Sequence, residues 1–450
     1  MASSAEQLAS NMNLSTFSKA KELKARLWFT LCALIVYRFG TYVPIPGINA
    51  DALYNLFTQH SGGVLGLFNM FAGGAIGRMA IFALGIMPYI SASIIIQILS
   101  SVLPQLEAIK KDGESGRQLL NQYTRYLTVL FAVIQGVGLS FGLQSSAGLV
   151  SNPGSFFIVS TTITIVGGTV FLMWLGEQIT SRGIGNGISL IIFAGIVAEL
   201  PAAFSATMEL GRTGALSSFT ILGILLFIVA VIGVIVYFER AQRRLLIQYP
   251  KRQVGRQLLQ GETSHLPLKL NTAGVIPPIF ASAILLMPTT IVGFTSAENI
   301  PQWLSVILGQ LSHGQLLYMI LFAVLMVFFC FFYTAIVFNP TDTANQLKQH
   351  SGFIPGIRPG EKTAEYIDYV LTRITVLGAI YIVCVALFPE LLLSATGVPL
   401  HLGGTSLLIM VNVALDTVSQ IQSHLISQQY AGLLKKSRLK GNRQGGRRLR

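Results

Sequence analysis

The sequence has little charge, and little of that charge is negative: 11% of its 450 residues are charged, with 18 Asp and Glu against 31 Lys and Arg. A soluble domain carries about 25% charged residues, so a soluble globular chain is excluded. Cysteine is equally sparse. Cys32, Cys330 and Cys384 are far apart and each lies in an apolar block, which gives neither a disulfide framework nor a metal-ligand pattern. The six histidines fall in loops or near the ends of apolar runs. The sequence contains no phosphate-cradling glycine loop ending in Lys-Ser or Lys-Thr and no H-E-x-x-H pair. A buried Ser-His pair or two facing aspartates, as an intramembrane protease needs, are also missing. Neither an enzyme nor a cofactor or metal is expected. Ion-coupled transporters use several buried ionisable groups, whereas only Asp416 among the carboxylates falls deep in an apolar run. A cleavable leader is not expected, because the apolar block after Arg26 is long and no small-x-small site follows it.

Apolar residues make up 52% of the chain, in solid blocks such as FTILGILLFIVAVIGVIVYF at 219–238. Such a block exceeds the roughly 18 residues of a membrane span, and its lack of alternation excludes a β-barrel. Hydropathy predicts ten spans, beginning near Leu27, Arg78, Tyr126, Phe156, Ile184, Phe219, Ala273, Leu316, Ile374 and Gly403. With ten spans both termini lie on one side, and 28 of the 31 Lys and Arg residues fall on that side. Of the other three, Arg212 alone occupies an opposite loop, while Arg38 and Arg78 lie in or beside spans. The positive-inside rule makes the shared side cytoplasmic. Five spans per half would set the second half antiparallel to the first, as in inverted-topology repeats.

Three features go beyond topology. The run VLGLFNMFAGGAIGRMAIFALGIMPYISASIIIQIL, at 64–99, has one charge, Arg78. As one helix it would reach about 54 Å, against a hydrocarbon core of about 30 Å. Gly73-Gly74 and Gly77-Arg78 divide it, so Val64–Gly77, about 21 Å as a helix, enters without crossing, and Arg78–Leu99, about 33 Å, spans. Interrupted backbone at membrane depth requires a protein or water-filled surrounding. In the last span Asn412, Asp416, Ser419, Gln420 and Ser423 share a helix face, which should meet protein or water. The inner connections Glu239–Lys269 and Asn339–Thr372 are each about 30 residues, longer than joining two helices requires. Their arginines fit docking of an acidic or nucleic-acid partner, and setting topology accounts for them as well. The basic tail at 435–450 could likewise bind anionic lipid or RNA, or merely remain inside.

The stretches FNMFAGGAIGRMAIFALGIMPYISASIIIQ, MWLGEQITSRGIGNGIS, QLLQGETSHLPLKLNTAGVIPPIFAS, FFYTAIVFNP and GFIPGIRPGEKTAEYID resemble the SecY family, in order and over nearly the whole chain. The resemblance implies an all-α polytopic membrane protein of ten transmembrane helices, in two inverted five-helix halves with a re-entrant plug helix. It implies a protein-conducting channel that exports unfolded preproteins and releases apolar segments sideways into lipid. The corresponding divisions are an N-terminal segment at 1–26, a first half at 27–215 with the plug at about 64–77, a second half at 216–430 with loops at 239–272 and 339–373, and a basic tail at 431–450.

Residue by residue, the resemblance assigns the plug to Gly66, Phe68, Asn69, Met70, Phe71, Gly73 and Gly74. It assigns an aliphatic constriction ring to Ile86, Ile90, Ile188, Ile192, Ile279 and Ile409. Its lateral gate lies between the second and third spans and the seventh and eighth, where Ser91, Gln97, Gln135 and Asn271 would supply polar contacts and Pro277 and Pro278 would soften a helix. Arg243, Arg244, Arg256 and Arg358 match positions that dock the SecA motor ATPase or the ribosome. Gln257 departs from the second arginine that many relatives carry there, which leaves RNA contact at that spot unsupported. The implied partners are the small membrane subunits SecE and SecG, SecA, a translating ribosome, preprotein signal sequences and membrane lipids. The implied location is the bacterial inner membrane. From the residues alone, a secondary transporter of a small solute is the alternative, with a non-conducting insertase third.

Overall fold

The computed structural model describes residues 21–49, 52–53, 69, 72–145, 148–214, 217–250, 252–254, 257–259, 263–293, 310, 315–396 and 403–445. Ten helices of at least 16 residues occur among them, at the places of the ten predicted spans. They are α1 (Lys21–Gly40), α2 (Met87–Val102), α4 (Glu114–Ser145), α5 (Ser155–Arg182), α6 (Gly187–Arg212), α7 (Ser218–Arg240), α8 (Ile276–Gly293), α9 (Leu316–Val337), α11 (Glu361–Thr396) and α12 (Gly404–Gly445). Two short helices, α3 (Pro104–Lys111) and α10 (Pro340–Gln349), lie in connections. Seven helices are long and apolar enough to cross a membrane alone, and α2 with α3 makes an eighth, bent by 98°. Outward-facing Trp28, Phe156, Phe219 and Leu226 are 65–87% exposed, a surface suited to lipid rather than water.

Two groups of five helices are evident in the packing. In the first, α1 and α4 pack on α5, α2 on α4, and α6 on α1 and α5; in the second, α8 packs on α9, α9 on α11, and α7 on α11 and α12. The groups meet on two fronts: α6 with α7 and α12 on one side, α8 with α2 and α4 on the other.

Several helices begin away from their predicted starts. The second span starts at Met87, nine residues after Arg78, and is only about 24 Å long. Residues 79–86 are instead drawn aside. Ile45 N donates to Met79 O and Ile81 N to Val43 O, while Met79 and Gly85 adopt φ of +40° and +54°. Pro88 then opens the helix, in the first turn where its missing N–H costs nothing. The third span begins at Glu114 rather than Tyr126, and the ninth at Glu361 rather than Ile374. Hydropathy marks only the apolar part of a helix. The ninth starts directly after Pro359-Gly360 and continues through EKTAEYIDYVLTR, whose Ile367, Val370 and Leu371 are buried on one face. Likewise α1 takes in Lys21, Lys24 and Arg26, and α12 runs on through the basic tail to Gly445.

The long connections are folded. Between α7 and α8 the chain forms β1 (Gln242–Gln248), β2 (Arg252–Val254), β3 (Gln257–Leu259) and β4 (Thr263–Lys269). β1 pairs antiparallel with β4 from Gln242 opposite Lys269 to Gln248 opposite Thr263, and β2 with β3. Leu245, Ile247 and Leu268 of this hairpin join Leu347, Ile354, Ile367, Val370 and Ile374 in a second core, separate from that of the bundle.

Candidate functional site

The six isoleucines of the expected ring come from α2 and its cap, α6, α8 and α12, and they fall in one contiguous apolar cluster. Ile86, Ile90, Ile192 and Ile409 are buried, whereas Ile188 and Ile279 are partly buried at the edge of the same cluster. Local chemistry fixes each contributor. Asn186 caps α6, its Oδ1 accepting from Ile188 N at 3.1 Å, which orients the first turn that carries Ile188 and Ile192. Gly187 lets that turn sit against α5, since a Cβ there would stand 2.0 Å from Gly176 O. Gln420 Oε1 on α12 accepts from Gly185 N at 2.8 Å and ties the turn before α6 to the helix of Ile409.

The expected plug is described only at Asn69, Gly73 and Gly74; Gly66, Phe68, Met70 and Phe71 lie outside the described residues. Asn69 O accepts from Gly74 N at 2.7 Å, and Asn69 Oδ1 accepts from Gly77 N at 2.8 Å. Gly73 and Gly74 have φ of +65° and +80°, the left-handed region open to glycine. They lie between α1 and α6: Arg38 Nη1 donates to Gly73 O at 2.7 Å, and a Cβ on Gly74 would stand 2.4 Å from Glu199 Oε1. The Arg78 guanidinium covers the Tyr42 ring at 4.1 Å.

Of the expected gate residues, Ser91 and Gln97 are on α2, Gln135 is on α4, and Pro277 and Pro278 open α8, the helix that packs on both. Gln97 Nε2 donates within its own helix, to Ser93 Oγ at 3.3 Å. Asn271 is engaged elsewhere: its amide donates to Glu239 Oε1 at 2.6 Å and to Gly274 O at 3.1 Å.

Arg243 and Arg244 are exposed on β1, and Arg256 lies outside the described residues. Arg358 is exposed in the loop before α11, at a groove of about 490 Å3 shared with Lys362, Glu365, Tyr366 and Tyr369. Thr363 Oγ1 donates to Arg358 O at 3.0 Å and holds that loop to the helix start.

Sequence reasoning overlooked three carboxylates that lie within helices: Glu177 of α5, Glu199 of α6 and Glu239 of α7. Asp416, expected to be the deep one, is exposed, as are Ser419, Gln420 and Ser423, while Asn412 of the same stripe is buried. Glu177 forms a two-pronged ion pair with Arg125 of α4, at 2.9 and 2.7 Å. The available signal was position: each of these glutamates interrupts or ends an apolar run, and a carboxylate there needs a partner.

The SecY family model matches residues 80–418. The protein translocase subunit SecY of Pseudomonas aeruginosa is 54% identical over 420 residues, covering 93% of this chain and 95% of the relative. A solved structure described as that of a protein conducting channel superposes with a TM-score of 0.65 at 18% identity, over 90% of this chain and 93% of the other. Sec61 in a canine ribosome-channel complex from the endoplasmic reticulum gives 0.62 at 17% identity, over 90% and 93%. At these identities the two structures establish a shared fold.

Proposed function

The chain belongs to the SecY family, and from that premise we propose how its own residues perform the family's work. It is a multi-pass membrane protein and a protein-conducting channel subunit of a translocase, not an enzyme. The small-solute transporter reading falls with that membership.

The observation that supports the site assignment is that Ile86, Ile90, Ile188, Ile192, Ile279 and Ile409, from four helices of both halves, all belong to the central apolar core of the bundle. Aliphatic side chains offer a passing backbone no hydrogen bond to linger on, and a narrow ring of them excludes water and ions. Such a ring can also yield to side chains of different size. The plug to which Asn69, Gly73 and Gly74 belong closes the path on one side, and its Gly73 is held to α1 through Arg38. The front of α2 and α4 against α8 is the lateral exit, through which an apolar signal helix partitions into lipid. The opposite front, α6 with α7 and α12, is the hinge.

Arg243, Arg244, Arg256 and Arg358 dock the driving partner, SecA or a translating ribosome. For Arg243, Arg244 and Arg358 a joint platform is supported by the second core, which packs the β1–β4 hairpin with the start of α11. SecE and SecG are the small membrane subunits of the assembly. The charge distribution, with 28 of 31 Lys and Arg on one side, supports both termini in the cytoplasm, and the bacterial relatives support the inner membrane as the location. The test is depletion of this chain in a bacterium that depends on it. Secreted precursors then accumulate with uncleaved signals, and recover when the chain is restored. Unchanged export during depletion would contradict the proposal.

A further inference from the structure

The chain leaves α7 at Arg240, forms the β1–β4 hairpin and returns as α8, and the two ends of that excursion are fastened together at one place. Leu270 N donates to Ala241 O at 3.0 Å. Next to it, Asn271 Nδ2 donates to Glu239 Oε1 at 2.6 Å and to Gly274 O at 3.1 Å, while Gly274 N donates back to Asn271 Oδ1 at 3.0 Å. Asn271 is only 4% exposed, so these bonds are made out of water, where a bond to a charged acceptor is stronger and its loss more costly. Gly378 of α11 presses on the same segment: a Cβ there would stand 2.7 Å from Leu270 O. Tyr381 of α11 and Asn412 of α12 are buried, and both stand near this carboxylate, with the Asn412 amide within reach of it. One acidic side chain thus lies where α7, α11, α12 and the entry to α8 meet. Just beyond it Gly274, at φ +64°, turns the chain into Pro277 and Pro278.

We propose that Glu239 is the positioning residue of the gate helix. Through Asn271 it holds the loop end of α8 to α7, so that α8 swings about this point. A load on the hairpin, whose strands end at Gln242 and Lys269 beside this tie, is thereby passed to the front of α8 against α2 and α4. Without the tie α8 leaves that front unprompted, and the channel accepts precursors it should refuse. The inference rests on the channel reading above and adds to it a residue outside the ring, plug and docking arginines.

The test measures, in cells making the complete translocase, export of a precursor with an intact signal and of one with a defective signal, together with the amount of chain. Glu239→Ala and Asn271→Asp should each raise the ratio of defective to intact export several-fold, with the chain present at its usual level. Glu239→Gln keeps an acceptor oxygen for Asn271 and should leave the ratio near that of the unsubstituted chain. Adding Glu239→Gln to Asn271→Asp gives the new carboxylate an amide donor and should return the ratio most of the way. An equal effect of Asn271→Asp with and without Glu239→Gln would overturn the proposal, as would a ratio unmoved by Glu239→Ala. Failure of the intact precursor to depend on this chain at all would refute the channel reading itself, a result distinct from either.

Discussion

Gln248 and Phe353 exchange both backbone hydrogen bonds, Gln248 N to Phe353 O at 2.9 Å and Phe353 N to Gln248 O at 3.0 Å. They join two connections that hydropathy treats as separate loops. The end of β1 is thereby tied to the segment that leads to Arg358, and Ile247 and Ile354 beside the bridge lie in the same small core. Arg243, Arg244 and Arg358 consequently share one platform.

Phe353→Pro removes one donor of that bridge, and the half-buried Gln248 carbonyl loses its partner. The expected outcome is faster cleavage by added protease within 339–360 in membranes of known orientation, with the bundle helices intact. Equal cleavage rates would mean that the core of Leu245, Ile247 and Ile354 holds the platform without the bridge.

Arg358→Glu reverses a charge on an exposed loop whose backbone is fixed by Thr363, so the fold should be unaffected. ATP-driven export into inverted membrane vesicles should fall at least about tenfold, the equivalent of about 1.4 kcal/mol in the coupling step. Insertion of an apolar membrane segment should persist. Export at the normal rate would remove Arg358 from the coupling role.

Ile86→Asn or Ile279→Asn places an amide in the aliphatic cluster, where it can hold water. Each variant should raise resting ion conductance of the reconstituted channel and permit export of a precursor with a defective signal. The same substitution at Ile163, which is 67% exposed on α5, should do neither.

Gly187→Ala forces α5 and α6 apart, because its Cβ would stand 2.0 Å from Gly176 O. Overpacking of this kind costs about 1–3 kcal/mol, and the purified complex should unfold at a lower temperature. Gly167→Ala, on the same α5 but with nothing within 4 Å of the new methyl, is the matched control and should be neutral or stabilising.

The bundle was legible because each of its helices is an apolar block, and burial of apolar side chains needs no knowledge of partners. The same reasoning misplaced the start of α2, since Met79 and Ile81 are held by Val43 and Ile45, whose pairing leaves no mark in local hydropathy. It likewise cut α11 short, because Glu361–Arg373 intersperses charges with the buried Ile367, Val370 and Leu371 and packs on the hairpin rather than forming a solid apolar block. Among site residues, Ile86, Ile90, Ile188, Ile192, Ile279 and Ile409 could not be told from other span isoleucines without the family resemblance, because their chemistry is identical. The tie between Glu239 and Asn271 was hidden for the converse reason, Asn271 being expected only as a polar contact of the lateral gate. Each is ordinary in sequence, and a 2.6 Å bond between residues of two different helix ends gives the pair its role.

The central claim, that a polypeptide passes through the ring, is tested most directly by crosslinking. With Cys32, Cys330 and Cys384 replaced, a single cysteine at position 279 is set against a secretory precursor stalled partway across the membrane. The account predicts a crosslink to the translocating segment that requires both SecA and ATP and is absent from a cysteine at exposed Ile163. Export that continues without any crosslink at position 279 would contradict it.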